Sequence, residues 1–113
     1  MVLLVVKGYR PRHRNWTGGG GELDLVVSRG ELIVFVEVKA RRHHDLYGGA
    51  GGALDTAKQK RIVRASSSYL SQFSLWERPC RYDLVTVERS GGLLPWQIRH
   101  WRDVIQPDLG RRF

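Results

Sequence analysis

The chain carries one cysteine, Cys80, in 113 residues. A single thiol excludes an intramolecular disulfide and any zinc site built on several cysteines, and it fits a reducing compartment. Long apolar runs are missing too. The opening MVLLVV is too short for the core of a signal peptide, and no basic stretch precedes it. Nothing approaches the roughly 18 apolar residues of a membrane span. These absences lead us to expect a cytoplasmic protein with no membrane partner. There is no internal repeat, and no GK[ST] follows the glycine run at 18–21, so a P-loop is excluded. Acidic residues are absent from the start of the chain: none precedes Glu22, by which point Lys7, Arg10, Arg12 and Arg14 have occurred.

What is present is positive charge and enough apolar material for one core. Lys and Arg outnumber Asp and Glu by 19 to 11, giving +8, and hydrophobic residues make up 42%. That size and content describe a single domain over 1–113. The charge favours a polyanionic partner, most often nucleic acid. The stretch from Asp55 to Phe73 concentrates it further, with Lys58, Lys60, Arg61 and Arg64 against Asp55 alone.

Alternation and turn residues predict the elements. ELDLVVS (22–28) and ELIVFVEVKA (31–40) read as two strands joined at Arg29-Gly30 in a tight hairpin. Ile62, Ala65, Ser66, Tyr69, Leu70 and Phe73 form a helical stripe with Asp55 as N-cap. RYDLVTVE (81–88) is a strand, followed by a turn at Ser90-Gly91-Gly92 and a last strand from Trp96 to Trp101. RPRHRNW (10–16) suits a short edge strand. In residues 1–8 the valines favour a strand, though a stub of helix is open. TGGGGE (17–22) and YGGAGGA (47–53) read as mobile loops. The order is (α)βββαββ, an α/β fold with one mixed sheet flanked by helices, in which the 55–73 helix crosses over between parallel strands.

LIVFVEVKA (32–40) poses the chemical question, because an apolar strand accepts a carboxylate and an ammonium in its second half. Side chains alternate along a strand, so Ile33, Phe35, Glu37 and Lys39 share one face. On the preceding strand Glu22, Asp24 and Val26 share a face, with Leu23, Leu25 and Val27 opposite. A tight hairpin sets Asp24 near the level of Glu37; a one-residue slip turns it away. In the first register two carboxylates and a lysine converge. Carboxylates held close repel, and a hard divalent cation offsets that cost. Magnesium suits such a site, since one or two carboxylates leave its other positions for water and phosphate. The same D…ExK spacing is also met by an ordinary surface pair, with Asp24 joined to an arginine.

GYRPRHRNW, GGELDLVV, LIVFVEVKARR, AKQKRIVRA and RYDLVTV occur in an order that resembles the YraN family of small bacterial proteins, over about residues 7 to 105. The resemblance implies a restriction-endonuclease-like core of the PD-(D/E)XK, Holliday-junction-resolvase-like kind. It implies catalytic roles for Asp24, Glu37 and Lys39, with magnesium (or manganese) held by Asp24, Glu37 and the main-chain carbonyl of Val38. Glu22 matches the family pattern, and Lys58 and Gln59 match a basic or amide position on the helix near the site. Family members begin with a fuller helix bearing a glutamate, which this chain does not show. A homodimer is implied as well, with the tryptophans as interface anchors.

Other signals are weaker. Arg41 and Arg42 lead into His43 and His44, a basic loop suited to phosphate. Trp16, Trp76, Trp96 and Trp101 suit core or interface, with base stacking as the alternative. Asp83 reads as structural, paired with Arg81. Together these readings favour a magnesium-dependent nuclease-like protein acting on DNA, branched or single-stranded, with Arg41, Lys58, Lys60, Arg61 and Arg64 touching the backbone. The alternatives are a catalytically weak nucleic-acid-binding module of the same fold and a protein-interaction subunit facing an acidic partner.

Overall fold

The computed structural model describes residues 2–42, 54–89 and 96–107. The described elements are α1 (Val2–Val6), β1 (Arg10–Gly18), β2 (Gly21–Arg29), β3 (Leu32–Arg42), α2 (Thr56–Gln72), β4 (Cys80–Arg89) and β5 (Trp96–Trp101). The strands form one sheet in the order β1-β2-β3-β4-β5. β3 and β4 run parallel and the other neighbours antiparallel. A parallel pair needs a long connection, and α2 supplies it. The opening residues form the short helix allowed for in the order (α)βββαββ, and the strand that their valines favoured does not occur.

Alternation in the strands separates two cores. Val26, Ile33, Phe35 and Tyr82 pack beneath Ile62, Ala65, Tyr69 and Leu70 of α2. Leu25, Val27, Val34, Val36 and Val85 face the other way, towards Leu4 and Tyr9. α2 starts where an N-cap allows it: the Asp55 carboxylate accepts the N–H of Lys58 at 2.8 Å, satisfying a donor the first turn leaves open. Among the described residues no helix is long and apolar enough to cross a membrane.

Three readings change. The turn between β2 and β3 is Gly30-Glu31, one residue later than the hairpin expected at Arg29-Gly30. TGGGGE does not form a loop; it is the end of a β-hairpin, with Gly18 paired to Gly21 across Gly19-Gly20. Both central residues have positive φ, 61° and 79°, as the favoured two-residue hairpin turn requires. The third change is at Leu23, which packs into the α2 core with Trp16 while Leu25 joins the opposite core. The expected alternation of 22, 24 and 26 against 23, 25 and 27 therefore breaks at Asp24. YGGAGGA, His43, His44, the Ser90-Gly91-Gly92 turn and the side chain of Arg41 lie outside the described residues.

Candidate active site

The break at Asp24 builds the site. Pairing between β2 and β3 runs from Arg29↔Leu32 to Leu25↔Val36. One step further Asp24 would oppose Glu37, but there the backbone ladder stops. The Asp24 carboxylate takes the place of a backbone acceptor, its Oδ2 receiving the N–H of Val38 at 2.9 Å. Across the neighbouring ladder, Trp16↔Leu23 and Arg14↔Leu25 are paired with Asn15 and Asp24 between them, and Asn15 has a φ of 50°. The distortion holds Asp24 against β3 with one carboxylate oxygen fixed by the main chain.

Glu37 lies on the α2 face of β3, buried at the far end of the apolar row Ile33, Phe35. Asp24 and Glu37 line one cavity of about 200 Å3, together with Glu22, Lys58 and Arg61. Lys58, in the first turn of α2, places its Nζ 2.9 Å from Glu37 Oε1. Burial pushes the Glu37 carboxyl above its ordinary range; Lys58 pulls it down, and the charge of Asp24 adds to the rise. The hydrogen bond to Glu37 raises the Lys58 ammonium in turn, working against its partial burial. Lys39 shares the Glu37 face and interacts with Lys58.

The other residues singled out from the sequence divide. Glu22 reaches the rim of the cavity and is exposed. Arg61 lines the same cavity, whereas Lys60, Arg64 and Gln59 line a separate one of about 460 Å3 against Ile105 and Pro107. Gln59 Nε2 donates to the Leu54 carbonyl at 3.0 Å, so its amide serves the start of α2 and not the carboxylates. Asp83 accepts two hydrogen bonds from Arg81, at 2.8 and 2.7 Å, and one from the N–H of Asp103 at 3.0 Å. Its structural reading holds. Trp16 packs against the α2 core, while Trp76 and Trp96 are exposed. Lys58 is the residue whose importance pattern reading underrated, because its meeting with Glu37 depends on how the helix docks. Arg14 and Asn15, read as plain edge-strand residues, also border Asp24.

The donor set suits a hard divalent cation. Asp24 and Glu37 offer oxygen ligands from two adjacent carboxylates, one of them kept at a raised pKa by burial and by the other's charge. Magnesium accepts one or two protein carboxylates and keeps water or phosphate in its remaining positions. No cluster of three or more His, Cys, Asp or Glu side chains able to hold a metal occurs among the described residues. Among the described residues an ion there would have these two carboxylates as its side-chain ligands, and Lys58 would have to release Glu37.

The profile of the uncharacterised protein family UPF0102 matches residues 1–87, which include Asp24, Glu37, Lys39 and Lys58. The chain belongs to UPF0102. This is the YraN family that its motifs resemble. Among its UPF0102 relatives, a protein of Pseudomonas paraeruginosa is 43% identical over 93 residues, 81% of this chain and 74% of that protein. One from Pseudomonas putida is 46% identical over 100 residues, 85% of this chain and 80% of its own length. One from Nitratidesulfovibrio vulgaris is 44% identical over 90 residues, 80% of this chain and 66% of the relative. The names of these UPF0102 relatives state no activity.

Proposed function

We propose that this UPF0102 protein is a metal-dependent nuclease with a restriction-endonuclease-like core, acting on DNA phosphodiesters in branched or single-stranded form. The observation that carries the reading is the meeting of Asp24 and Glu37 at a break in the β2–β3 ladder, beside Lys58 and on the face that bears Lys39. The mixed five-stranded sheet with a crossover helix is the architecture such a core needs, though a fold alone does not assign an activity.

In this reading Asp24 and Glu37 would hold magnesium or manganese, with the Val38 carbonyl as a further oxygen donor. Such an ion, when bound, would supply a water of lowered pKa and positive charge for the phosphate. The Val38 N–H holds Asp24 in place, and burial keeps Glu37 from bulk solvent. Lys58 leaves Glu37 as the substrate arrives and turns its ammonium to a phosphate oxygen. Lys39 stabilises negative charge on the phosphate from the same strand, about 6–7 Å along the chain from Glu37 at roughly 3.3 Å per residue. Arg61 at the cavity edge steers the incoming backbone.

One observation favours a second reading. Lys58 already gives Glu37 a cation at 2.9 Å. A chain content with that internal pair would bind nucleic acid without cutting it. Glu37→Gln separates the two. Cleavage of linear, single-stranded and four-way-junction DNA should require magnesium or manganese, stop with chelator, and fall by at least about 100-fold in the variant. Binding without metal should hold or improve, because a negative charge facing phosphate has gone. A wild type that cuts nothing with either metal, and a variant with unchanged calorimetric magnesium binding, would establish the binding module instead.

A further inference from the structure

Asp24 borders two cavities, and the carboxylate site uses one of them. On the α2 side lies the cavity shared with Glu37, Lys58 and Arg61. On the other side is a larger one of about 450 Å3, lined by Arg14, Asn15, Asp24, Leu25 and Val38. Arg14 and Asn15 are exposed, and Val38 is half-exposed. The second cavity thus combines a guanidinium, a primary amide and a small apolar floor, at a volume within the usual range of ligand clefts.

A phosphodiester strand carries one negative charge per nucleotide. To run past two carboxylates it needs cations before and after them. Lys58 and Arg61 supply the near side, and Arg14 is the cation on the far side of Asp24. The left-handed backbone of Asn15, tolerated by asparagine better than by other side chains, is held at the point where the β1–β2 pairing skips. A residue kept in a sparsely used conformation beside a candidate site fits a role in contact with ligand.

We propose that the Arg14–Asn15 cavity is a subsite for the nucleotide flanking the phosphate at Asp24 and Glu37. Arg14 binds the next phosphate, Asn15 hydrogen-bonds the sugar or base edge through its amide, and Leu25 and Val38 support the apolar part of the nucleotide. The strand then crosses the sheet end from Lys58 and Arg61 to Arg14. This assignment rests on the nucleic-acid reading above, but it adds a binding site that catalysis does not require and that metal-free binding can report.

The test is fluorescence anisotropy with a labelled single-stranded oligonucleotide in chelator, over a range of salt concentrations. Four variants are compared with the wild type: Arg14→Ala, Asn15→Gly, Arg61→Ala, and Arg10→Ala as an exposed arginine of the same strand that does not line the cavity. Asn15→Gly removes the amide and keeps the left-handed backbone accessible. Arg14→Ala should weaken binding about 5- to 10-fold and lower the salt slope by about one, as loss of one phosphate contact predicts. Asn15→Gly should weaken it about threefold and leave the slope unchanged. Arg10→Ala should do much less than Arg14→Ala. If Arg14→Ala matches Arg10→Ala while Arg61→Ala weakens binding, the subsite is wrong and the nucleic-acid reading stands. If the wild type fails to bind at low salt, both are overturned.

Discussion

Glu37 is buried on a sheet face that is otherwise apolar up to its level, so its charge has to be met locally. A desolvated carboxylate either finds a cation or takes a proton. Here Lys58 meets it at 2.9 Å, and the pull of burial and of Asp24 towards the protonated form is only partly offset. Lys58→Met therefore leaves an uncompensated carboxylate in place of an ion pair. The expected loss is about 1–3 kcal/mol at neutral pH, read from urea unfolding. Because protonation removes the offending charge, the deficit should shrink as pH falls through the raised Glu37 pKa towards its ordinary 4.5. Lys58→Met with Glu37→Gln should recover most of the stability, and a deficit that persists in acid would show that Lys58 acts by packing alone. The Glu37 and Lys39 positions could be read from strand alternation. The Lys58 contact could not, because no periodicity in either segment records where a helix lands on a sheet.

At the scale of elements, the β1–β2 hairpin explains both what the chain reveals and what it hides. Period-two alternation identifies β2 and β3, and a helical stripe with its cap identifies α2 to within a residue or two. The same alternation fails at Asp24, since a side chain there replaces a ladder acceptor and Leu23 turns to the opposite core from Leu25. Glycine composition misled for a related reason: it reports conformational freedom and says nothing of contact. A Cβ on Gly19 would stand 2.7 Å from the Arg64 carbonyl oxygen, and one on Gly21 2.7 Å from that of Arg61. Those glycines let the hairpin end lie directly on the α2 backbone, which brings Lys58 and Arg61 over the carboxylates. Gly19→Ala and Gly20→Ala separate the two demands, because both positions have positive φ but a Cβ on Gly20 would meet nothing within 4 Å. Gly20→Ala should lose about 1 kcal/mol through backbone strain alone. Gly19→Ala should lose clearly more, about 2–4 kcal/mol, because a helix carbonyl must also move. Equal losses in denaturant unfolding would mean that the hairpin does not bear on the helix.

For the molecule as a whole, the first and last described segments are tied together by one polar network on the face opposite α2. Lys7, just after α1, places its Nζ 2.9 Å from His100 Nδ1, and His100 Nε2 lies 2.7 Å from Asp83 Oδ2. Arg81 adds its guanidinium to Asp83 and donates to the Tyr9 hydroxyl at 2.5 Å. An ammonium has only hydrogens to offer, so His100 accepts at Nδ1 and keeps its proton on Nε2, donated to Asp83. Adding a second proton would aim an N–H at Lys7. Burial depresses the His100 pKa, Asp83 opposes this, and the charges of Lys7 and Arg102 reinforce the fall. For Asp83, burial favours the protonated form, but Arg81, the Asp103 N–H and His100 outweigh it and hold the carboxyl below its usual range. The unfolded chain therefore binds more protons than the native one as pH drops below the ordinary 6.5 of histidine, and stability is lost until the folded pKa is passed. Asp83 adds a second loss below its ordinary 3.8. Glu37, with a raised pKa, works in the opposite sense, its contribution growing as pH falls towards 4.5. A variant that removes only the histidine titration distinguishes these. His100→Gln retains one donor for Asp83 and one acceptor for Lys7 without a titratable ring. Urea unfolding between about pH 7.5 and 5 should show wild-type stability falling with pH and the variant without that fall, flat or rising as Glu37 takes up its proton. Parallel profiles for the two proteins would place the acid sensitivity elsewhere and leave the contact between Lys7, His100 and Asp83 without a part in it.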